Sequence, residues 1–143
     1  MKELSPYWWY QLKWYKYWVL YLHPNQYPYL GRCYAASIRV EPHFSNATWE
    51  ELNELSLIIE DWERAVKSIF EIDFWHNLAI FGNDWPQNHA HFIPRYSQGF
   101  EFGGVWFEDP RPGRCESYSP YPKKKIPEVI HLEMKLAFLE ALS

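Results

Sequence analysis

The chain has 143 residues, a formal net charge of −4 and two cysteines, a size that bounds one domain with a core needing no disulfide or metal staple. The acidic balance argues against a general binder of nucleic-acid polymers, which carries a basic face, and leaves small phosphorylated ligands open. No apolar run nears the roughly 18 residues of a membrane span and no secretory signal opens the chain; Cys33 and Cys115 lie outside any Cys-x-x-Cys pair, so free thiols in the cytoplasm are expected, with no membrane association.

Aromatic residues make up 20% of the chain and crowd the N-terminal segment (1–14) and its continuation, in Tyr7-Trp8-Trp9-Tyr10 and Trp14-Tyr15-Lys16-Tyr17-Trp18. Such side chains suit a bulky core, a subunit interface or a base-stacking wall. Strand-like runs over 15–22 and 32–40 follow, separated by His23-Pro24-Asn25-Gln26-Tyr27-Pro28, whose prolines and asparagine are turn residues. Thr48 and Glu51 make a capping-box pattern. Leu52, Leu55, Ile59, Trp62, Val66 and Ile69 then recur at spacings of three and four, which predicts an amphipathic helix over 49–70.

Beyond the helix, 77–82 reads as a strand and Asn83-Asp84-Trp85-Pro86 as a tight turn. The turn leads into a second strand over 89–96, so the two should be antiparallel neighbours. A further extended piece covers about 104–107. The Pro-, Gly- and Ser-rich stretch over 108–126 reads as an irregular arm, with Lys123-Lys124-Lys125 a solvated run. Pro127 suits a helix first turn, and Val129, Leu132, Leu136 and Leu139 predict a second amphipathic helix reaching Leu142. The fold class is α+β: one domain over 1–143 with both helices packed on an antiparallel sheet.

Chemistry concentrates in Gln87-Asn88-His89-Ala90-His91-Phe92-Ile93. In a strand, alternate side chains share a face, so His89 and His91 lie together, roughly 7 Å apart along the strand. If the extended geometry reaches back across Asn88, Gln87 joins them. A bare His-x-His is more often a pair of surface histidines than a site. As a site, the span suits one phosphate group, with one ring behind phosphorus and the other near a bridging oxygen.

The same stretch, with the Pro94-Arg95-Tyr96 that follows, resembles the histidine triad family of nucleotide hydrolases and transferases. That family's pattern is His-φ-His-φ-His-φ-φ, where φ is apolar, running on in many members to Pro-Arg-Tyr. Asn25-Gln26-Tyr27-Pro28-Tyr29-Leu30-Gly31-Arg32-Cys33 is similar to an Asn-Gln-x-Tyr-Leu-Gly-Arg segment of one branch. Phe107-Glu108-Asp109-Pro110 is similar to a segment downstream of the pattern. The resemblance covers the chain from about Trp14 to the last helix. It implies that His89 is a nucleophile attacking the α-phosphorus of a nucleotide, with a nucleotidyl-histidine intermediate. His91 would donate to the phosphate or the departing oxygen, and Asn83 and Asn25 would face the phosphate and ribose. Asn77 matches an asparagine of the same branch, and Arg32, beside Gly31, would meet phosphate or pair with a carboxylate.

The first histidine of the pattern is Gln87 here, a group that donates and accepts but does not titrate near neutrality. The glycine-rich loop common before the pattern is replaced by Asn83-Asp84-Trp85-Pro86. The histidine that often ends the strand before the long helix would fall near Val40, and His43 is the nearest replacement. The resemblance implies a dinucleoside polyphosphate or related substrate, no protein-bound cofactor, Mg²⁺ arriving only with the substrate, and a homodimer formed through the long helix and a sheet strand. The alternatives are a nucleotide-binding module with weak or no catalysis, and an interaction protein working through its aromatic surface.

Overall fold

The computed structural model describes residues 4–83, 85–113 and 124–143. A short helix, α1 (Leu4–Trp9), leads into β1 (Gln11–Trp14), β2 (Trp18–Leu22) and β3 (Cys33–Ser37). The long helix α2 (Trp49–Phe70) then carries the chain to β4 (Phe74–Ala79), and β5 (His89–Tyr96) returns between β4 and β3. The result is a five-stranded antiparallel sheet in the order β1-β2-β3-β5-β4. A hairpin of β6 (Phe100–Phe102) and β7 (Val105–Phe107) follows, and α3 (Glu128–Ala141) closes the fold.

The helix over 49–70 and the strand over 89–96 have the bounds that periodicity predicts. Thr48 caps α2 as expected: its hydroxyl accepts from the Glu51 N–H at 3.1 Å while the Glu51 carboxylate accepts from the Thr48 N–H at 2.8 Å. Glu51 is itself buried, and it also holds the Arg39 guanidinium. The strand expected over 77–82 lies three residues earlier. Phe74 is drawn into pairing with Tyr96 and packs on Trp62 at 5.7 Å, so the ladder starts there and ends at Ala79 opposite His91. Strands β1 and β6 and helix α1 have no sequence expectation. Of the arm over 108–126, residues 114–123, including Cys115 and Lys123, lie outside the described residues.

One face of the sheet carries the core. Trp18, Leu20 and Leu22 of β2, Cys33 and Ala35 of β3, and Ala90 and Phe92 of β5 meet Leu55, Ile58, Trp62 and Val66 of α2. The stripe on α2 is therefore turned slightly from the expected one, with Leu52, Ile59 and Ile69 at its half-buried margins. For α3 the expected face is the wrong one. Ile130, Met134 and Phe138 are fully buried, while Val129, Leu132, Leu136 and Leu139 are 38–56% exposed. The helix is apolar on two sides, so spacing alone does not choose between them.

Three sequence segments that carried the resemblance are joined in space. Arg95, fully buried, pairs with both carboxylate oxygens of Asp109 and stacks on Tyr29 at 5.2 Å. The next residue, Tyr96, donates its hydroxyl to the Leu30 carbonyl. Gly31 alongside has φ +98°, a conformation that favours glycine, and a Cβ there would crowd the Tyr96 hydroxyl at 3.2 Å.

Candidate active site

The sheet face opposite α2 carries the histidines. His89 stands across from Ala36 and His91 across from Tyr34, which itself faces Tyr21 of β2; cross-strand partners share a face. The His89 and His91 rings meet edge to face with centroids 5.1 Å apart, closer than the extended-strand spacing because they lean together. His89 is 8% exposed and is overlain by Trp85 at 4.9 Å. His91 touches Phe81 at 5.6 Å and His23 at 5.8 Å.

Proton placement follows from the hydrogen bonds. His89 Nδ1 lies 2.7 Å from the Gln87 carbonyl oxygen, which can only accept. The ring's hydrogen therefore sits on Nδ1, and in the neutral imidazole Nε2 keeps its lone pair. Burial, then the Arg32 guanidinium, then His89 push the His91 pKa down to about 4, so this ring is neutral near pH 7. Its Nδ1 is buried with no hydrogen-bond partner among the described residues.

The other expected residues divide. Arg32 is buried on the site face, two residues before Tyr34, near enough to His91 and His23 to depress both pKa values. Gln87 lies in a bend before β5, and its amide points to the end of β3: Nε2 donates to the carbonyls of Ser37 and Arg39, and Oε1 accepts from the Glu41 N–H at 3.1 Å. Asn25 spans the turn after β2, its N–H donating to His23 Nδ1 and its Oδ1 accepting from the Tyr27 N–H. Asn77 accepts from Arg95 at 2.8 Å, and Asn83 is exposed in the loop after β4. His43 is exposed, and its carbonyl accepts from the Asn88 side chain at 3.3 Å.

Sequence reasoning gives no role to His23, Tyr34, Phe81 or Trp85. For His23 a signal exists: Val19, Tyr21 and His23 continue the period of two that puts a side chain on the site face. Beside His89 an open cavity of about 450 Å³ is lined by Trp14, Tyr21, Ala36, Trp85, Pro86 and Gln87. Its walls mix the rings of Trp14, Tyr21 and Trp85 with the aliphatic side chains of Val19, Ile38 and Val40, and its floor is the sheet, a shape that suits a flat ring system on the side of His89 that Trp85 covers.

No protein-family model and no curated protein matches the sequence. Solved structures match its fold. A histidine triad protein from Bradyrhizobium japonicum superposes with a TM-score of 0.66 at 19% identity, over 93% of this chain and 90% of that one. A hypothetical histidine triad nucleotide-binding protein from Sulfolobus tokodaii gives 0.63 at 16%, over 93% and 83%. The chain has the histidine triad fold. A third structure with that fold, the diadenosine triphosphate hydrolase of Plasmodium falciparum in complex with cyclomarin A, matches at 0.56 and 16% identity over 94% and 79%. The α+β architecture expected from the sequence, with its helix on an antiparallel sheet, is thus the histidine triad architecture. Among the described residues no helix is long and apolar enough to cross a membrane.

Proposed function

We propose that this chain belongs to the histidine triad family in function as well as fold, and hydrolyses a phosphoanhydride bond at the α-phosphate of a nucleotide, dinucleoside polyphosphates being the expected class. The observation that carries this is the His89 ring, fixed by the Gln87 carbonyl with Nε2 free beside a second imidazole. A neutral nucleophile meets less repulsion at an anionic phosphoryl centre than a charged one. The Nε2 lone pair forms a bond to the α-phosphorus, and the bond from phosphorus to the bridging oxygen breaks, its electron pair leaving on the departing phosphate. The Gln87 carbonyl, at Nδ1–H, stabilises the positive charge that the ring then carries. Water next forms a bond to phosphorus, the N–P pair returns to Nε2, and a nucleoside monophosphate and a proton leave.

His91 supplies a hydrogen bond to the phosphate. As a ring neutral near pH 7, it favours a leaving group that departs as a stable anion over an amine that must be protonated. Phosphoanhydrides are therefore preferred to phosphoramidates. Gln87 acts as a positioning residue through its own carbonyl, Arg32 as the site's positive charge, and the cavity under Trp85 as the base pocket. Of the asparagines, Asn83 approaches the phosphates from its loop, while Asn25 and Asn77 work through His23 and Arg95. Any Mg²⁺ would enter with the substrate, and no protein-held cofactor is invoked.

The test is a rapid denaturing quench at alkaline pH during turnover of diadenosine tetraphosphate, followed by mass analysis. A nucleotidyl adduct on His89 is expected, and His89→Ala should lower turnover by about a thousandfold or more without loss of folding. Turnover with no adduct would refute the mechanism. The near-complete burial of His89 beneath Trp85 favours a second reading, a nucleotide-binding module with little chemistry; saturable binding without product would establish it. We also propose a cytoplasmic homodimer. Leu57 on α2 and Trp75 and Leu78 on the edge strand β4 are about half exposed, a surface suited to pairing through the helix and the sheet edge. Light scattering should then give twice the 17.4 kDa chain mass.

A further inference from the structure

A third imidazole adjoins the pair, supplied by a different strand. His23 follows β2 directly, on the face that carries Tyr21 and Tyr34, and its ring lies 5.8 Å from both His91 and Tyr34. Its Nδ1 accepts the Asn25 N–H at 2.9 Å, so the neutral ring carries its hydrogen on Nε2, at the edge away from the turn. Among the described residues no group accepts from that Nε2–H. Burial, the Arg32 charge and His91 hold the His23 pKa down to about 2, so the ring is a neutral donor near pH 7. The three rings run His89, His91, His23, with Arg32 close to the last two. A neutral N–H and a guanidinium together match an anion of several oxygens.

We propose that His23, with Arg32, forms a subsite for the phosphates on the leaving side of the scissile bond, so that the site selects nucleotides whose α-phosphate is followed by further phosphates. The inference rests on the reading of His89 as the point of attack and adds a specificity-determining residue to it. The competing account is that His23 serves only the turn, through Nδ1.

Two substitutions separate these roles. His23→Asn keeps an acceptor within reach of the Asn25 amide and deletes the outer N–H. His23→Gln keeps a donor at the outer position and gives up the turn acceptor. Affinities for AMP and for α,β-methylene-ADP, whose bridging carbon blocks cleavage, are read from tryptophan fluorescence. The wild type should favour the methylene-ADP by roughly tenfold or more, the margin of a charge-assisted hydrogen bond. His23→Asn should lose most of that margin and His23→Gln should keep it. If asparagine keeps the margin and glutamine loses it, His23 is a turn residue and the inference is overturned. Loss in both variants, or a wild type that binds the two ligands alike or not at all, overturns it too. Hydrolysis of diadenosine tetraphosphate is followed in parallel. A wild type with the affinity margin and its expected dependence on His23, but without turnover, refutes the hydrolase reading while supporting the subsite.

Discussion

Both amide hydrogens of Gln87 go to carbonyls at the end of β3, those of Ser37 and Arg39, and its oxygen takes the Glu41 N–H. The same residue's carbonyl holds His89, so the side chain anchors the backbone that orients the nucleophile. A glutamate in its place is nearly isosteric but donates nothing. Gln87→Glu should leave two carbonyls facing a carboxylate, costing about 1–3 kcal/mol in urea unfolding, and should slow formation of the His89 adduct. A variant as stable and as fast as wild type would show that the clasp carries no weight. The pairing of His89 with His91 was legible in the sequence, because a period of two is local and needs only an extended backbone. The partners of Gln87 were not, since they come from residues 46–50 positions away and depend on the sheet order. The same limit hides the tie between Arg95 and Asp109, two residues that sequence similarity flagged separately and that only the folded chain joins.

At the scale of elements, α2 and α3 show when periodicity suffices. On α2 the polar residues are numerous enough to leave one apolar stripe, and the helix was readable to its last residue. On α3, Val129, Leu132, Leu136 and Leu139 form one stripe and Ile130, Met134 and Phe138 another. The choice is made by the surfaces offered by α2 and β1, against which α3 packs. The consequence is measurable. Met134→Ala, at a fully buried position, should cost about 2–5 kcal/mol, whereas Leu136→Ala, at a residue 56% exposed, should stay within about 0.5 kcal/mol. Equal losses in denaturant unfolding would mean that the second stripe is covered as well. The short strands β1 and β6 had no sequence signal of their own. Each is defined by the neighbour it pairs with, Gln11–Trp14 against β2 and Phe100–Phe102 against β7.

For the molecule as a whole, placing two imidazoles under aromatic cover makes stability depend on pH. The rings of His23 and His91 have pKa values pushed down to about 2 and about 4 from 6.5, in both cases chiefly by burial. The unfolded chain takes up protons on these residues as pH falls through about 6.5, and the folded chain does not. Their contribution is therefore complete above that pH and declines below it, by up to about 1.4 kcal/mol per pH unit for each ring. The decline ends near pH 4 for His91 and continues lower for His23. Glu41 and Glu51, whose carboxyls are held below the usual 4.5 by hydrogen bonds and by Arg39, begin to lose their contribution only as pH falls below about 4.5. The interval from about 6.5 to 5 thus isolates the histidines among the groups with shifted pKa values. Urea unfolding across that interval should show stability falling with acid, and His91→Asn should remove roughly half of the slope. A flat profile for the wild type would mean that both rings protonate freely in the folded state, and the neutral donor set on which the site depends would be lost with it.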